Sequence, residues 1–372
     1  MGIKTRAAAL MLAVLLIIIT AAGCGGVTGQ DESASAAKYG QVEDSEGVMK
    51  IHFIDVGQGD CTFVDFGEKE ALIDCGEWEY SEEVIEYIDD FVDGSLDLVI
   101  ATHPDSDHVG GMMYIFQYFQ VDTLIDSGAV RDTITYSNYA AAVNSEPDCE
   151  VLMDDDLYLE WGENAGIRII ETGDDNEDQN ELSVIAQVEY GDMKVLLTGD
   201  MGVSTERDNL YKFEKVQVLK VGHHGSSKSS SEEFLYVTMP DFAIISAGAD
   251  NSYGHPHVET MERLDAIGAT VYQTMNSGTI VLKTDGSTYS FDSSGSITVT
   301  EPSDDPTYST GSSGDTYQDT SDLRYAGNKN SKKFHYIYCG SVESMSEKNR
   351  VYFDSREEAV SSGYEPCSNC KP

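Results

Sequence analysis

The run Thr102-His103-Pro104-Asp105-Ser106-Asp107-His108-Val109-Gly110-Gly111 places four metal-capable side chains, His103, Asp105, Asp107 and His108, within six residues. One loop that turns at the glycine pair can aim all four at a single spot, which is the requirement for metal-assisted hydrolysis. Further polar groups occur at Gly199-Asp200, at Gly222-His223-His224-Gly225-Ser226 and at Tyr253-Gly254-His255-Pro256-His257. Near the C-terminus, His335-x3-Cys339-x27-Cys367-x2-Cys370 has the spacing of a closed tetrahedral zinc site. Three cysteines cannot all pair with one another, and the Cys-x-x-Cys knuckle favours metal over disulfides.

These groups need rigid carriers. Leu96-Asp97-Leu98-Val99-Ile100-Ala101 reads as a buried strand running straight into His103. Upstream, Met49 to Val56, Asp60 to Phe66 and Glu70 to Asp74 read as short strands separated by glycine turns, and Ser81 to Val92 as a surface helix with Ser81 near its cap. A second strand series runs from Ile167 through the hairpin Leu182–Tyr190 and Met193–Thr198 to Val216–Val221 and Phe242–Ser246. Helical stretches at Glu232–Val237 and Val258–Ile267 intervene. Two sheet halves flanked by helices predict a layered α/β sandwich over residues 48–300.

The rest of the chain divides by composition. Lys4 and Arg6 precede an uncharged run from Ala7 to Thr20, followed by Ala21-Ala22-Gly23-Cys24. This reads as a signal peptide over residues 1–23, with Cys24 as the lipidated N-terminus of a bacterial lipoprotein; an ordinary cleaved secretory signal is the alternative. Both put the mature chain outside the cytoplasm. Residues 24–47 read as a flexible tether and 301–333, rich in Ser, Thr, Asp and Gly, as a disordered linker. Residues 334–372 are too few to hold a core without the zinc staple. Cys61 and Cys75 lie on neighbouring predicted strands, as a disulfide or as buried thiols, and Cys149 has no evident partner in the sequence.

Taken together, the His-x-Asp-x-Asp-His loop and the blocks Asp55-Val56-Gly57-Gln58-Gly59-Asp60, Leu197-Thr198-Gly199-Asp200, Val221 to Ser226 and Tyr253 to His257 resemble the metallo-β-lactamase superfamily. Within it they are similar to the soluble domain of ComEC-type competence proteins. The resemblance implies an αβ/βα sandwich with two divalent metal ions. His103 and Asp105 would hold the first, Asp107 and His108 the second, and Asp200 would bridge them. His223 would be the late histidine ligand, and His224 a second ligand or a proton donor. His255 and His257 are candidates for the proton donor or for gripping phosphate, or are two incidental histidines of a turn; Asn180 and Ser183 either donate hydrogen bonds to substrate or only close a turn, and Ser226 is a candidate for meeting substrate. Two departures stand out: Asp105 replaces the superfamily's second histidine, and Asn180 stands where many members carry another. Such an oxygen-rich set shifts the metal preference from Zn²⁺ towards Mn²⁺ or Mg²⁺.

The C-terminal residues, from Asn349 to Ala359 and from Gly363 to Cys367, resemble the metal-binding domain of Ada-type DNA repair proteins. His335 occupies the position of the family's methyl-accepting cysteine, so methyl transfer is not implied. What remains is a zinc-stapled module, either a structural cap or a surface presenting Lys332, Lys333, Arg350 and Arg356 to a phosphate backbone.

Charge then limits the function. With 66 acidic residues against 23 basic ones among 372, the formal charge is −43, which excludes nonspecific electrostatic binding to DNA or anionic lipid. From Ser331 onward the charges balance, so the excess lies upstream. A phosphodiester must therefore be met locally, at bound cations or at the neutral module. The expectation is a surface-anchored, metal-dependent phosphodiesterase, a DNA nuclease by this reading, with DNA as substrate, a membrane contact through lipid and a separate DNA-uptake channel as a candidate partner. The competing expectations are a cell-wall teichoic-acid phosphoesterase or other small-ester hydrolase and, from another class, a catalytically silent DNA-binding surface lipoprotein.

Overall fold

A computed structural model describes residues 37–92, 94–146, 148–153, 156–173, 178–295, 299–300, 325–336, 342, 345–353 and 356–367. The first sheet takes β1 (Lys38–Tyr39), β2 (Met49–Phe53), β3 (Thr62–Phe66), β4 (Lys69–Ile73), β5 (Ser95–Ala101), β6 (Gln120–Asp126) and β7 (Glu150–Met153). The second takes β8 (Leu157–Gly162), β9 (Ala165–Ile170), β10 (Ile185–Tyr190), β11 (Met193–Leu197), β12 (Val218–Lys220), β13 (Phe242–Ile245) and β14 (Thr270–Gln273). The chain then returns to the first sheet with β15 (Ile280–Thr284) and β16 (Thr288–Ser293) and closes the second with β17 (Val299–Thr300). The strand orders are β1-β16-β15-β2-β3-β4-β5-β6-β7 and β17-β14-β13-β12-β11-β10-β9-β8. Each sheet joins a run of antiparallel strands to a parallel run, β4 to β7 in one and β11 to β14 in the other.

Strand alternation builds the layers. Ile51 and Phe53 of β2, Leu98 and Ile100 of β5, Ile167 and Ile169 of β9 and Val195 and Leu197 of β11 meet in one core between the sheets. The intervening residues face helices. Val99 and Ala101 pack under α1 (Ser81–Asp89), α3 (Met112–Tyr118) and α4 (Ile134–Val143), with the short α2 (Ser106–Val109) between α1 and α3 in sequence. Leu196, Leu219 and Ala243 pack under α6 (Glu232–Thr238) and α7 (Val258–Ala266), which follow α5 (Val203–Asn209). Each such valine, leucine, isoleucine or phenylalanine, fully buried, contributes about 1.5–3 kcal/mol. The result is the predicted four-layer sandwich, helices outside and two sheets within.

Several boundaries move. The first strand ends at Phe53, three residues early, because Ile54 to Gly59 turns towards the loop of His103. Ser81 is the first helical residue, not the cap, and its hydroxyl donates to the Trp78 carbonyl at 2.8 Å. The tether expected over 24–47 includes Lys38–Tyr39, which pairs in parallel with β16 while Tyr39 packs on Phe242. The linker expected over 301–333 likewise includes the strand Tyr325–Asn328, which begins the C-terminal module and pairs with both Lys333–Tyr336 and Arg350–Phe353. In both places strands of two to four residues lie in polar sequence too short for alternation to show.

Candidate metal centre

The centre lies where the parallel strands end. The parallel pairing of β4 with β5 sends Asp74 and the His103 loop out of one sheet, and that of β11 with β12 sends Asp200 and the His223-His224 turn out of the other. Asp200 sits between two groups of side chains. Its Oδ1 faces His108 Nε2 at 3.3 Å and His224 Nε2 at 3.6 Å, and His224 Nε2 also lies 3.2 Å from Asp107 Oδ2. Its Oδ2 faces His223 Nε2 at 3.5 Å and His103 Nε2 at 4.0 Å, and the latter lies 3.9 Å from Asp105 Oδ2. Asp200 thus has one oxygen for each of two neighbouring sites.

Behind the imidazoles stands a layer of groups that fixes which ring nitrogen is free. His108 Nδ1 donates to Asp74 Oδ2 at 2.7 Å, and Asp74 also accepts from the Thr102 amide and hydroxyl. His224 Nδ1 faces Asp60 Oδ1 at 3.1 Å and the Ser246 carbonyl at 3.0 Å, while Lys220 Nζ bonds the other Asp60 oxygen at 2.7 Å. His103 Nδ1 has only hydroxyls nearby, Thr102 Oγ1 at 3.1 Å and Ser183 Oγ at 3.5 Å. Each ring therefore presents Nε2 to the centre, and all three Nε2 atoms are buried without a hydrogen-bond partner, as is Asp200 Oδ1. Orphaned buried polar atoms are costly unless something fills the space between them. Nitrogen lone pairs converging with carboxylate oxygens fit a divalent cation. A cluster of Asp60, His108, Asp200 and His224 also falls within 4.8 Å; Lys220 bonds Asp60 Oδ2, and Asp60 Oδ1 lies 3.1 Å from His224 Nδ1, on the far side of that ring from its Nε2. Asp60 belongs to the supporting layer, and Asp107 takes its place facing the ligating nitrogens.

The electrostatics carry the same asymmetry. Burial opposes charge on His108 and His224, yet Asp200 with Asp74 holds His108 well above the ordinary histidine range, and Asp200 with Asp60 lifts His224 to about 10. Burial and the neighbouring His108 push His103 down to about 3. Against its own burial, Asp107 is held at about 2 by His224 and His108, and Asp200 lies well below the carboxylate range. Burial raises Asp105 despite Arg131, whose guanidinium reaches Asp105 Oδ1 at 2.5 Å. The Asp107 side of the centre is built to stabilise positive charge.

The backbone is bent to reach this arrangement. His223 and His224 both adopt left-handed conformations, at φ 50° and 54°, in a tight turn whose His223 amide donates to the Gly199 carbonyl. Two adjacent non-glycine residues in that region are strained, and the strain separates the two rings to opposite oxygens of Asp200.

The sequence-based site residues sort as follows. His103, Asp105, Asp107, His108, Asp200 and His223 come together, and His224 joins them by geometry as a ligand position on the Asp107 side. Asn180 reaches Asp200 Oδ2 at 3.5 Å. Ser183 closes a turn, the second of its two expected roles: its hydroxyl donates to the Asn180 carbonyl and accepts from the Asp200 amide, so it positions the bridging carboxylate. Ser226 is a buried loop residue whose hydroxyl accepts from the Lys228 amide. His257 has both nitrogens occupied, Nδ1 accepting from the Ser227 amide at 2.9 Å and Nε2 facing the Tyr253 carbonyl at 3.2 Å, so it clamps two loops and carries no proton to substrate. His255 stands 5.6 Å from the His223 ring, and burial with the neighbouring imidazoles of His224 and His223 depresses it to about 4. Asp60, Asp74, Lys220 and Arg131 were not assigned from sequence. Signals existed for three: Asp60 and Asp74 end or flank buried strands, and Lys220 interrupts the apolar run Val218-Leu219-Lys220-Val221. Arg131 had none.

In the C-terminal module, His335 and Cys367 are buried and the His335 Nδ1 atom has no hydrogen-bond partner. Cys339 and Cys370 lie outside the described residues, as does Cys24. Cys61 and Cys75 are buried thiols, not a disulfide.

The model of the metallo-beta-lactamase superfamily matches residues 54–249, and that of the metal binding domain of Ada matches residues 318–372. The chain is 32% identical over 257 residues to "ComE operon protein 3" of Bacillus subtilis, covering 63% of this chain and 33% of that protein. It is 31% identical over 246 residues to "Recombination protein 2" of Haemophilus influenzae, covering 63% and 29%. It thus spans about a third of the length of these relatives. Among solved structures, the metallo-beta-lactamase fold protein YhfI from Bacillus subtilis aligns with a TM-score of 0.40 at 13% identity, over 57% of this chain and 92% of that one.

Proposed function

From the premise that the chain belongs to the metallo-β-lactamase superfamily and ends in an Ada-type metal-binding domain, we propose that this metal-dependent hydrolase cleaves phosphodiesters, with DNA as its substrate. The observation that carries the reading is the pair of half-sites on the two oxygens of Asp200, each with unpartnered imidazole nitrogen. His108, His224 and Asp107 on one side, and His103, His223 and Asp105 on the other, would hold divalent cations with Asp200 between them, and such ions would supply an acidified water and positive charge for a displacement at phosphorus. The chain's own residues prepare that step. Asp74 and Asp60 lock the tautomers of His108 and His224, Lys220 offsets the charge of Asp60, and Asp107 lies within 3.2 Å of His224 Nε2. Arg131, paired with Asp105, supplies a cation on that side of the centre. Competence-type relatives support nucleic acid over other phosphodiesters.

The test is the purified chain with single- and double-stranded DNA under Mn²⁺, Mg²⁺ or Zn²⁺, beside Asp107→Ala. Cleavage by wild type and a loss of two or more orders of magnitude in the variant are expected; no cleavage with any metal, or an equally active variant, sinks the reading. We also place the chain at the outer face of a bacterial membrane through lipid on Cys24, because the Ala21-Ala22-Gly23-Cys24 junction follows a charged and then uncharged leader. Among the described residues no helix is long and apolar enough to cross a membrane. Cys24→Ala should move the protein from the membrane fraction to the medium; unchanged membrane retention contradicts the anchor.

A further inference from the structure

Beside the metal centre, three rings form a column that leads outward. The His224 ring lies 6.2 Å from that of His255 at an interplanar angle of 29°, and His255 lies 5.5 Å from Tyr253 at 20°. Tyr253 ends the column with 64% of its surface exposed, so one face rests on His255 while the rest of the ring meets solvent.

The loop that carries this ring is held rigid. Asn251 donates to the carbonyls of Gly248 and His255, both at 2.7 Å, and accepts from the His255 amide at 2.9 Å. His257 Nε2 lies 3.2 Å from the Tyr253 carbonyl, and the His257 amide donates to Gly225 of the metal-centre turn at 2.9 Å. Gly254 takes φ 78°, which reverses the chain between the stacked rings. An exposed aromatic side chain on a floppy loop would lose entropy on binding; this one is already placed.

We propose that Tyr253 is a stacking platform for an unpaired nucleobase next to the phosphate being cut. The inference rests on the phosphodiesterase reading and deepens it. Charge is the physical reason such a platform is needed. The chain is strongly acidic, so it cannot hold a polyanion by diffuse attraction, whereas stacking on a π-face is uncharged and tolerant of sequence. A teichoic-acid chain has no such face to offer, and a duplex hides its bases between neighbours.

The test is fluorescence anisotropy with a short thymidylate oligonucleotide and its abasic counterpart, with Ca²⁺ as the ion. The proteins are the full chain, Tyr253→Ala and Tyr253→Trp. Wild type should prefer the base-bearing strand by about tenfold, as a single stacked base supplies. Tyr253→Ala should lose that preference without changing affinity for the abasic strand, and Tyr253→Trp should keep it. The inference is overturned if wild type shows no preference, if Tyr253→Ala binds thymidylate as well as wild type, or if it weakens both strands alike. Cleavage with Mn²⁺, read alongside, separates the two claims: base-dependent binding without any cleavage sinks the phosphodiesterase reading and leaves the platform standing.

Discussion

A histidine becomes a defined metal ligand only when its far nitrogen is occupied. Asp74 and Asp60 do this for His108 and His224, and both carboxylates lie in the neighbouring layer, outside the His-x-Asp-x-Asp-His motif. Replacing either by Asn keeps the shape and removes the charge. The expected result for Asp74→Asn or Asp60→Asn is a metal affinity about 10- to 100-fold weaker by isothermal titration, with the fold retained. Unchanged affinity would mean these groups are only structural. The motif itself was legible because its spacing is compact; Asp74 was not, because its partner lies 34 residues on and meets it only through the β4–β5 pairing.

At the level of elements, strands end and loops begin where the chemistry is, so the loops need bracing from behind. Glu206 on α5 accepts from the amides of Ser230 and Ser231, which fixes the segment following the His223-His224 turn. Burial raises its carboxyl from 4.5 to about 7 even though those hydrogen bonds and Arg263 favour the charged form. The folded state then holds a proton that the unfolded chain has already lost, so this group's contribution is full below about pH 4.5 and fades as pH rises through 7. Between those limits it amounts to about 3 kcal/mol. Denaturant unfolding at pH 5 and pH 8 should show a smaller pH difference for Glu206→Gln than for wild type; equal differences would rule the group out. In this half β9 to β13, α6 and α7 were readable from periodicity, whereas β8, α5, β14 and the paired left-handed residues 223 and 224 were not; nothing in His-His announces a backbone that glycine would ordinarily supply.

For the molecule as a whole, the charge of −43 is concentrated in the domain whose centre gathers Asp60, Asp74, Asp105, Asp107 and Asp200, with Lys220 and Arg131 paired to them among the described residues. Removing metal should therefore cost global stability as well as activity. Mn²⁺ at a hundred times its dissociation constant stabilises by about 2.7 kcal/mol per site, a rise of several degrees in Tm relative to EDTA. A Tm indifferent to metal would contradict the centre proposed above.

The sequence by itself determined that the chain is a layered α/β hydrolase fold, that its chemistry gathers on a strand-end loop of His103, Asp105, Asp107 and His108, and that a second metal-binding module follows. Those features are local: short-range spacing and strand alternation encode them. Only the tertiary structure decided that His224 faces the Asp107 side while His223 takes the other, that Ser183 and His257 are spent on internal hydrogen bonds, and that Asp60, Asp74, Lys220 and Tyr253 surround the centre. Each of these depends on which nitrogen or oxygen points where after distant segments of two sheets meet, a geometry that spacing along one chain does not contain.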